Sequence, residues 1–502
     1  MPQIENVVFL MLENRSLDNL LGWSYTGIQP DHVFPATSPR SFDGLAPNNR
    51  GNPAYTWDGS VQWYPVTPVP SGLGSSQDRV PAYDPTEELA SSSWNGVLNQ
   101  IFGNQNRITG LPSSNTPAGM LGFLQDYYAE YMIDWQGLDI LWTYLPGQLR
   151  VINSLALQYA VSDRWFCSVP SQTNPNRAYS LCGTSLGRES NLQLNAEEQF
   201  QTNTIFNVLS GAGKSWGLYF SDIWQQNQSY TQYTFPWINK VLSNGEIGSI
   251  QQFQHRAAAG TLPAFTYLEP KWGYGKGSLF VQGTDYHPPT HVLPGDHFLG
   301  QIYTAVRNSP QWKQMLFIVT FDEHGGTYDH VGPHWGAINP DGLKGKSGFD
   351  FNLFGVRVPT LLISPFIRHS TVFRAPEGSR FPFDHTSFLN TLVQWAGVDP
   401  VAANLCKRVP AAPSFDGVLA SHHVNDTHLV FSADPPSTPP PTVTGAPAIA
   451  GPGRPLNALF EDVPARATRA IIARSHTLEQ ILTQIAAYRA DPAKFEAGLA
   501  GQ

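Results

Sequence analysis

The sequence predicts an α/β fold, with a large, mostly parallel central sheet between helices and long loop-rich cap insertions. Three observations carry this reading. Apolar runs at 4–11 (broken by Glu5 and Asn6), 317–321 and 357–367 have strand length. They lack the alternation of half-exposed strands, as expected for strands covered on both faces. Helix and strand patterns alternate between 200 and 260; FNVLSGAGKSWGLYF, for example, reads as a helix, a Gly-rich turn and a strand. Residues 30–115 are dense in Pro, Gly, Ser, Asn and Trp, which predicts a substrate-side cap of irregular excursions rather than more sheet.

The composition narrows the function classes. The chain has 502 residues, 41% of them hydrophobic, enough for a large core. Its 44 Gly and 42 Pro indicate many loops. Only 14% of residues are charged and the net charge is −9, with no basic stripe, so nucleic acid is not an expected partner. Cys167, Cys182 and Cys406 are too few and too odd in number for a disulfide framework, although one bridge remains compatible. No stretch approaches the roughly 20 apolar residues of a membrane span. At most a peripheral membrane contact is expected, and no obligate protein partner. MPQIENVVFLM carries no basic leader pattern, which leaves three locations open: the cytoplasm, export by a non-classical route, or export by a leader outside the given sequence.

In chain order, the strand at 4–11 delivers Glu13 and Asn14, and Ser16 is placed to cap a short helix. DPTEEL lies within the cap, and residues 118–160 turn helical. A strand end at 160–166 leads to CSVPSQTNPNR. There Pro175 and Asn174 predict a helix start, which puts Thr173 just before a helix N-terminus, a place that favours phosphate. A strand at 263–270 ends in Glu269, and the loop after it carries His287. A helix is expected at 297–309, then the strand FIVTF at 317–321. That strand ends in Asp322, Glu323 and His324 before a Gly-Gly turn. A helix at 383–397 begins near His385. Domain boundaries are expected at 432 and 456: a catalytic unit over 1–432, a Pro-rich linker over 433–456, and a helical segment over 457–502.

Glu13, Asn14, Thr173, Asp322 and Glu323 thus fall at strand or helix ends and offer only oxygen ligands. Such a set suits hard cations, Ca²⁺, Mg²⁺ or Mn²⁺, better than zinc. His287, His324, His330 and His385 lie near them as donors to an oxyanion or as acids. Asp163 and Arg177 read as a structural pair, and Asp329 as a group that orients His330 or Arg15.

ENRSLDNLLGW, TNPNR, DYHPP, FDEHGGTYDHV, VRVPTLLISPFI and FDHTSFL occur in this order between about residues 4 and 400. Together they resemble the phosphoesterase family of phosphatidylcholine-type and non-specific phospholipases C and the related bacterial acid phosphatase. The resemblance implies an alkaline-phosphatase-like fold. It implies a metal held by Glu13, Asn14, Thr173, Asp322 and Glu323, with Ca²⁺ favoured and Mg²⁺, Mn²⁺ or Zn²⁺ as other choices. It makes Thr173, rather than Ser171, the nucleophile, and places His287 and His385 around the phosphoryl group, with Asn176 on the substrate side. Where relatives carry the histidine of DPGH, this chain has Glu87, in DPTE, and that carboxylate would face the substrate's phosphate or a second cation.

The implied activity is phospholipase C action on glycerophospholipids through a phospho-threonine intermediate. A broad acid phosphatase is the alternative, and a non-catalytic binding protein on the same fold a more distant one. Trp57, Trp63, Tyr64, Tyr83 and Trp94 offer either an apolar rim for lipid or the filling of the cap. A sulfatase reading lacks its Cys-x-Pro-x-Arg motif.

Overall fold

The computed structural model describes residue 1 and residues 3–45, 50–55, 61–69, 96–103, 110–131, 140–191, 199–276, 279–288, 290–433 and 486–495. Glu87, the proposed linker, most of the C-terminal segment and Trp57, Tyr83 and Trp94 lie outside these residues.

Nine strands form the central sheet. In chain order they are β1 (Asn6–Leu12), β2 (His32–Phe34), β3 (Ala160–Ser162), β4 (Trp216–Phe220), β5 (Gly245–Ser249), β6 (Phe265–Glu269), β7 (Met315–Phe321), β8 (Thr360–Ile363) and β9 (Thr371–Phe373). Their spatial order is β2-β9-β3-β8-β7-β1-β6-β4-β5. β8 alone runs against its neighbours β7 and β3; every other pairing is parallel. The strands at the middle of the sheet are the apolar runs of the sequence. Every residue of β1 and of β7 is buried, and Leu12 lies opposite Phe321, so Glu13 and Asp322 leave the sheet side by side.

Part of the cap reading needs correction. β2, at 32–34, is not irregular; it extends the sheet edge beside β9. Residues 51–55 and 61–65 pair as a small antiparallel hairpin, with Trp63 exposed and Tyr64 packed against a second apolar cluster. That cluster includes α2 (Gly96–Phe102) and α3 (Phe123–Tyr131); α1 (Leu17–Leu21) precedes them, capped by Ser16 as expected.

Helices α4 (Arg150–Gln158), α5 (Thr173–Leu181) and α6 (Ile205–Gly211) follow, then α7 (Tyr230–Thr234), α8 (Ile250–Ala259), α9 (Leu293–Arg307) and α10 (His385–Trp395). α9 starts four residues before the expected helix. Its first turn takes Pro294, whose missing N–H costs nothing there. Asp296 in that turn accepts from Val151 N and Ile152 N at 3.0 and 2.9 Å. It thereby caps α4, whose own Leu149 cannot. All three cysteines are free. No helix among the described residues is long and apolar enough to cross a membrane.

Candidate active site

The parallel register of β1 and β7 brings two acidic strand ends together. Asp322 N continues the ladder to Leu12 O at 3.1 Å. The chain then turns at Asn14, whose φ of 57° an asparagine tolerates better than most residues, and Asn14 N donates to Asp322 Oδ1 at 3.0 Å. The Gly-Gly turn makes this approach possible. Gly325 has φ 63°, and a Cβ there would stand 2.1 Å from Asn14 O. Gly325 N also donates to Glu323 Oε2 at 2.6 Å, which fixes that carboxylate.

α5 supplies the hydroxyl. The helix starts at Thr173 itself, two residues before Pro175 and earlier than the sequence reading placed it. Thr173 Oγ1 donates to Glu13 Oε2 at 3.2 Å and lies 3.4 Å from Asn14 Oδ1. Thr173 is 9% exposed, whereas Glu13, Asn14, Asp322 and Glu323 are at 2% or less, so the hydroxyl is the open side of the group. Ser171 points elsewhere: its hydroxyl donates to Glu189 O at 2.5 Å.

Arg177 is the counterion that sequence reading misassigned. It does not pair with Asp163, which instead holds Arg374 at 2.6 and 2.8 Å. Arg177 Nε and Nη2 grip Glu13 Oε1 at 2.8 and 2.5 Å, and its Nη2 also donates to Met11 O at 3.1 Å. Its guanidinium lies over the ring of Trp272 at 4.8 Å. A signal for it existed: once a helix starts at Thr173, residue 177 is four positions on and shares its face.

Burial pushes the Glu13 carboxyl up to about 7; Arg177 pulls it down, and Asp285 and Glu323 add to the rise. Burial, and then Glu13, hold Asp322 well above the ordinary range. Burial would lower Arg177, but Glu13 beside it wins and raises it. Arg177 thus faces two buried carboxylates, Glu13 at 2.5 Å and Asp322 Oδ2 at 3.7 Å. Asp322 Oδ2 and Glu323 Oε1 are buried with no hydrogen-bond partner. Orphaned anionic oxygens in such a site fit a divalent cation, which would relieve both the charge and the missing partners.

His385 is fully buried at the start of α10, where Nε2 donates to Asp322 O at 2.6 Å. Nδ1 then carries the lone pair and has no hydrogen-bond partner. Burial lowers this imidazole to about 4, so it is neutral near pH 7 and accepts or ligates rather than donates. His287 is half-buried. Asp285, two residues before it, accepts from His287 N at 3.2 Å, and the Asp285 carbonyl takes Glu13 N at 2.8 Å, so the loop lies against the strand end of β1. Asp285 opens the DYHPP motif but was given no role of its own; its buried carboxylate also takes Gly273 N and stiffens the loop.

Asn176 departs from its expected role. Its amide accepts from Val169 N and donates to the carbonyls of Val169, Ser171 and Gln172, leaving nothing to offer a substrate. It shapes the loop before Thr173.

Asp18, Asp329 and His330 form a separate acidic group, with ligand atoms within 4.8 Å of one another. Arg357 already bridges its two carboxylates, at 3.0 Å to Asp18 and 2.9 Å to Asp329, and His330 reaches Asp18 at 2.6 Å and Asp43 at 3.1 Å. Asp329 therefore orients Arg357, not His330 or Arg15. With its charges internally matched, this group reads as a brace between the segments after β1 and β7. His324 donates from Nε2 to Gln100 Oε1 at 2.7 Å and ties the turn to α2.

Acidic groups gathered at the carboxyl ends of parallel strands around a helix-start hydroxyl stand where α/β enzymes bind their ligands. The chain belongs to the Phosphoesterase family, whose model matches residues 4–399. It is 34% identical over 390 residues to non-specific phospholipase C1 of Arabidopsis thaliana, covering 77% of this chain and 64% of that protein. With non-specific phospholipase C3 of the same plant it shares 33% over 430 residues, 83% of this chain and 73% of that one. Phospholipase C A of Mycobacterium tuberculosis is 27% identical over 447 residues, covering 79% of this chain and 74% of that protein. Similar solved structures include an alkaline phosphatase superfamily protein from Vibrio parahaemolyticus, with TM-score 0.31, 14% identity and 53% and 65% of the two chains covered. Another is the phosphonate monoester hydrolase of Silicibacter pomeroyi, with TM-score 0.32, 13% identity and 58% and 76% covered.

Proposed function

We propose that the protein is a metal-dependent phospholipase C that cleaves glycerophospholipids through a phospho-threonine intermediate. The observation that carries this reading is the Thr173 hydroxyl, 3.2 Å from Glu13 Oε2 at the N-terminus of α5. Names borne by relatives point to the lipid substrate, and family membership to the phosphate ester.

Glu13, Asn14, Thr173, Asp322 and Glu323 would hold the divalent cation, Ca²⁺ being favoured by the all-oxygen set. When bound, that ion lowers the hydroxyl's pKa and offsets charge on the phosphoryl oxygens. Thr173 Oγ1 attacks phosphorus while its proton passes to Glu13 Oε2, the acceptor it already faces. The P–O bond to the glycerol oxygen breaks, and diacylglycerol leaves with a proton from the His287 imidazole. Arg177 keeps Glu13 in place through two charge-assisted bonds. The first turn of α5 points its dipole at the developing charge. Water then attacks the phospho-threonine, releases the phosphorylated headgroup and restores the hydroxyl.

Thr173→Ala is expected to lower turnover at least about a thousandfold, in the range seen when a nucleophile is removed, with fold and metal content retained. Phosphatidylcholine and p-nitrophenyl phosphate assayed side by side separate the lipase from a monoesterase; preference for the monoester would replace the reading with an acid phosphatase.

A further inference from the structure

Glu323 has one carboxylate oxygen fixed and one free. Oε2 accepts from Gly325 N at 2.6 Å and lies 3.4 Å from His324 Nδ1, whereas Oε1 is buried with no hydrogen-bond partner. A glutamate side chain has many rotamers to lose, so a carboxylate held in one pose needs a wall beside it. The fully buried His324 ring is that wall. The ring is held in turn at its far end, where Nε2 donates to Gln100 Oε1 at 2.7 Å. Phe123 packs edge-on against it, ring centroids 6.2 Å apart, and offers no polar alternative.

Gln100 can hold the ring because both ends of its amide are used and its backbone is clamped. Its Nε2 donates to Asp126 Oδ2 of α3 at 3.0 Å, which turns Oε1 toward the imidazole. The reversed amide would set its oxygen against the carboxylate and its own N–H against that of His324. Gln100 O accepts from Gly122 N at 3.2 Å, and Ile101 O from Met120 N at 2.9 Å. Glycine at 122 permits this approach, since a Cβ there would stand 1.8 Å from Asn99 O. The line Asp126–Gln100–His324–Glu323 therefore runs through buried groups from α3 to the acidic strand end of β7.

We propose that Gln100 sets the affinity of the metal site as a positioning residue that touches no cation: by holding the His324 ring against Glu323, it keeps that carboxylate in the pose that leaves Oε1 free. The inference rests on the reading of Glu323 as a ligand of the divalent cation. Groups that orient a metal ligand from behind typically change metal affinity by about 10- to 100-fold when removed. A mere tie between α2 and the Gly-Gly turn would change stability and leave that affinity alone.

The test is calorimetric titration of the full chain, stripped by a chelator, with Ca²⁺, Mg²⁺, Mn²⁺ and Zn²⁺ in turn, followed by the tightest of them for the variants. Gln100→Met, which removes the acceptor for His324, is expected to weaken binding by about 10- to 100-fold. Gln100→Asn, whose shorter side chain withdraws the oxygen while keeping a polar group for Asp126, is expected to act in the same direction and decides if Gln100→Met does not fold. His324→Phe is expected to weaken binding at least as much. The double variant should bind no more weakly than His324→Phe alone, because Gln100 acts through that ring. Melting temperature falls under either role, so affinity is the readout that a mere tie would not move. Wild-type affinity in a folded Gln100 variant, or losses that multiply in the double variant, overturns the inference. A wild type that takes up none of the four metals instead removes the metal reading, and this inference with it.

Discussion

At the residue scale, what distinguishes this site is how its buried charges are compensated. Glu13 is held by Arg177 on one oxygen and by Thr173 on the other, so a single carboxylate links the guanidinium to the Thr173 hydroxyl. His330 shows the opposite balance. Burial would lower it, but Asp18 and Asp43 raise it from 6.5 to about 9. A histidine raised in the folded state contributes stability that is fully present below the unfolded value and is lost as pH rises through the folded one. His330→Gln is therefore expected to destabilise the protein by up to about 3 kcal/mol below pH 6.5. The gap from wild type should close as pH climbs through about 9. Urea unfolding of both proteins across that range checks it; a constant gap would mean that the charge of His330 contributes nothing to the brace.

At the element scale, the parts legible in sequence were those with local signatures. β1 and β7 are apolar runs ending in acids, and their parallel pairing could be expected because both were read as buried strands. Arg177 with Glu13 and Arg357 with Asp18 join residues 164 and 339 positions apart. Ion pairs at such separation leave no periodic trace, so Asp163 was matched to the wrong arginine. Asn176 misled for a related reason: a polar residue beside a nucleophile reads the same whether it faces substrate or backbone. The Gly-Gly turn is where local and distant constraints meet. Gly325→Ala must place a methyl group against Asn14 O at a positive φ. It is expected to cost at least about 1–2 kcal/mol and to lower activity by moving Asn14 or Glu323. Thermal unfolding together with kcat measures both; a variant with wild-type melting and turnover would show that the turn is not under this constraint.

At the scale of the whole molecule, the sheet is a scaffold that assembles one site from chain segments more than 300 residues apart. The α/β class and the strand ends followed from composition and pattern. The cap did not: 32–34 joined the sheet edge and α2 packed into the second apolar cluster, tied to His324, because cap packing is decided by tertiary contacts rather than by local propensity. Glu13 and Asp322 share Arg177 as counterion, and Asp322 Oδ2 and Glu323 Oε1 lack hydrogen-bond partners. Chelation is expected to abolish activity and lower the melting temperature, and re-addition of Ca²⁺, Mg²⁺, Mn²⁺ or Zn²⁺ in turn should restore both to an extent that ranks the metals. Full activity after exhaustive chelation, with metal absent by elemental analysis, would remove the metal from the account.

The central claim is that Thr173 becomes covalently phosphorylated. Enzyme quenched in acid during turnover of phosphatidylcholine, digested and mapped by mass spectrometry, should carry a phosphocholine group on Thr173, and Thr173→Ala should carry none. A phosphoryl group on Ser171 or on a histidine, or undiminished turnover by Thr173→Ala, would contradict it.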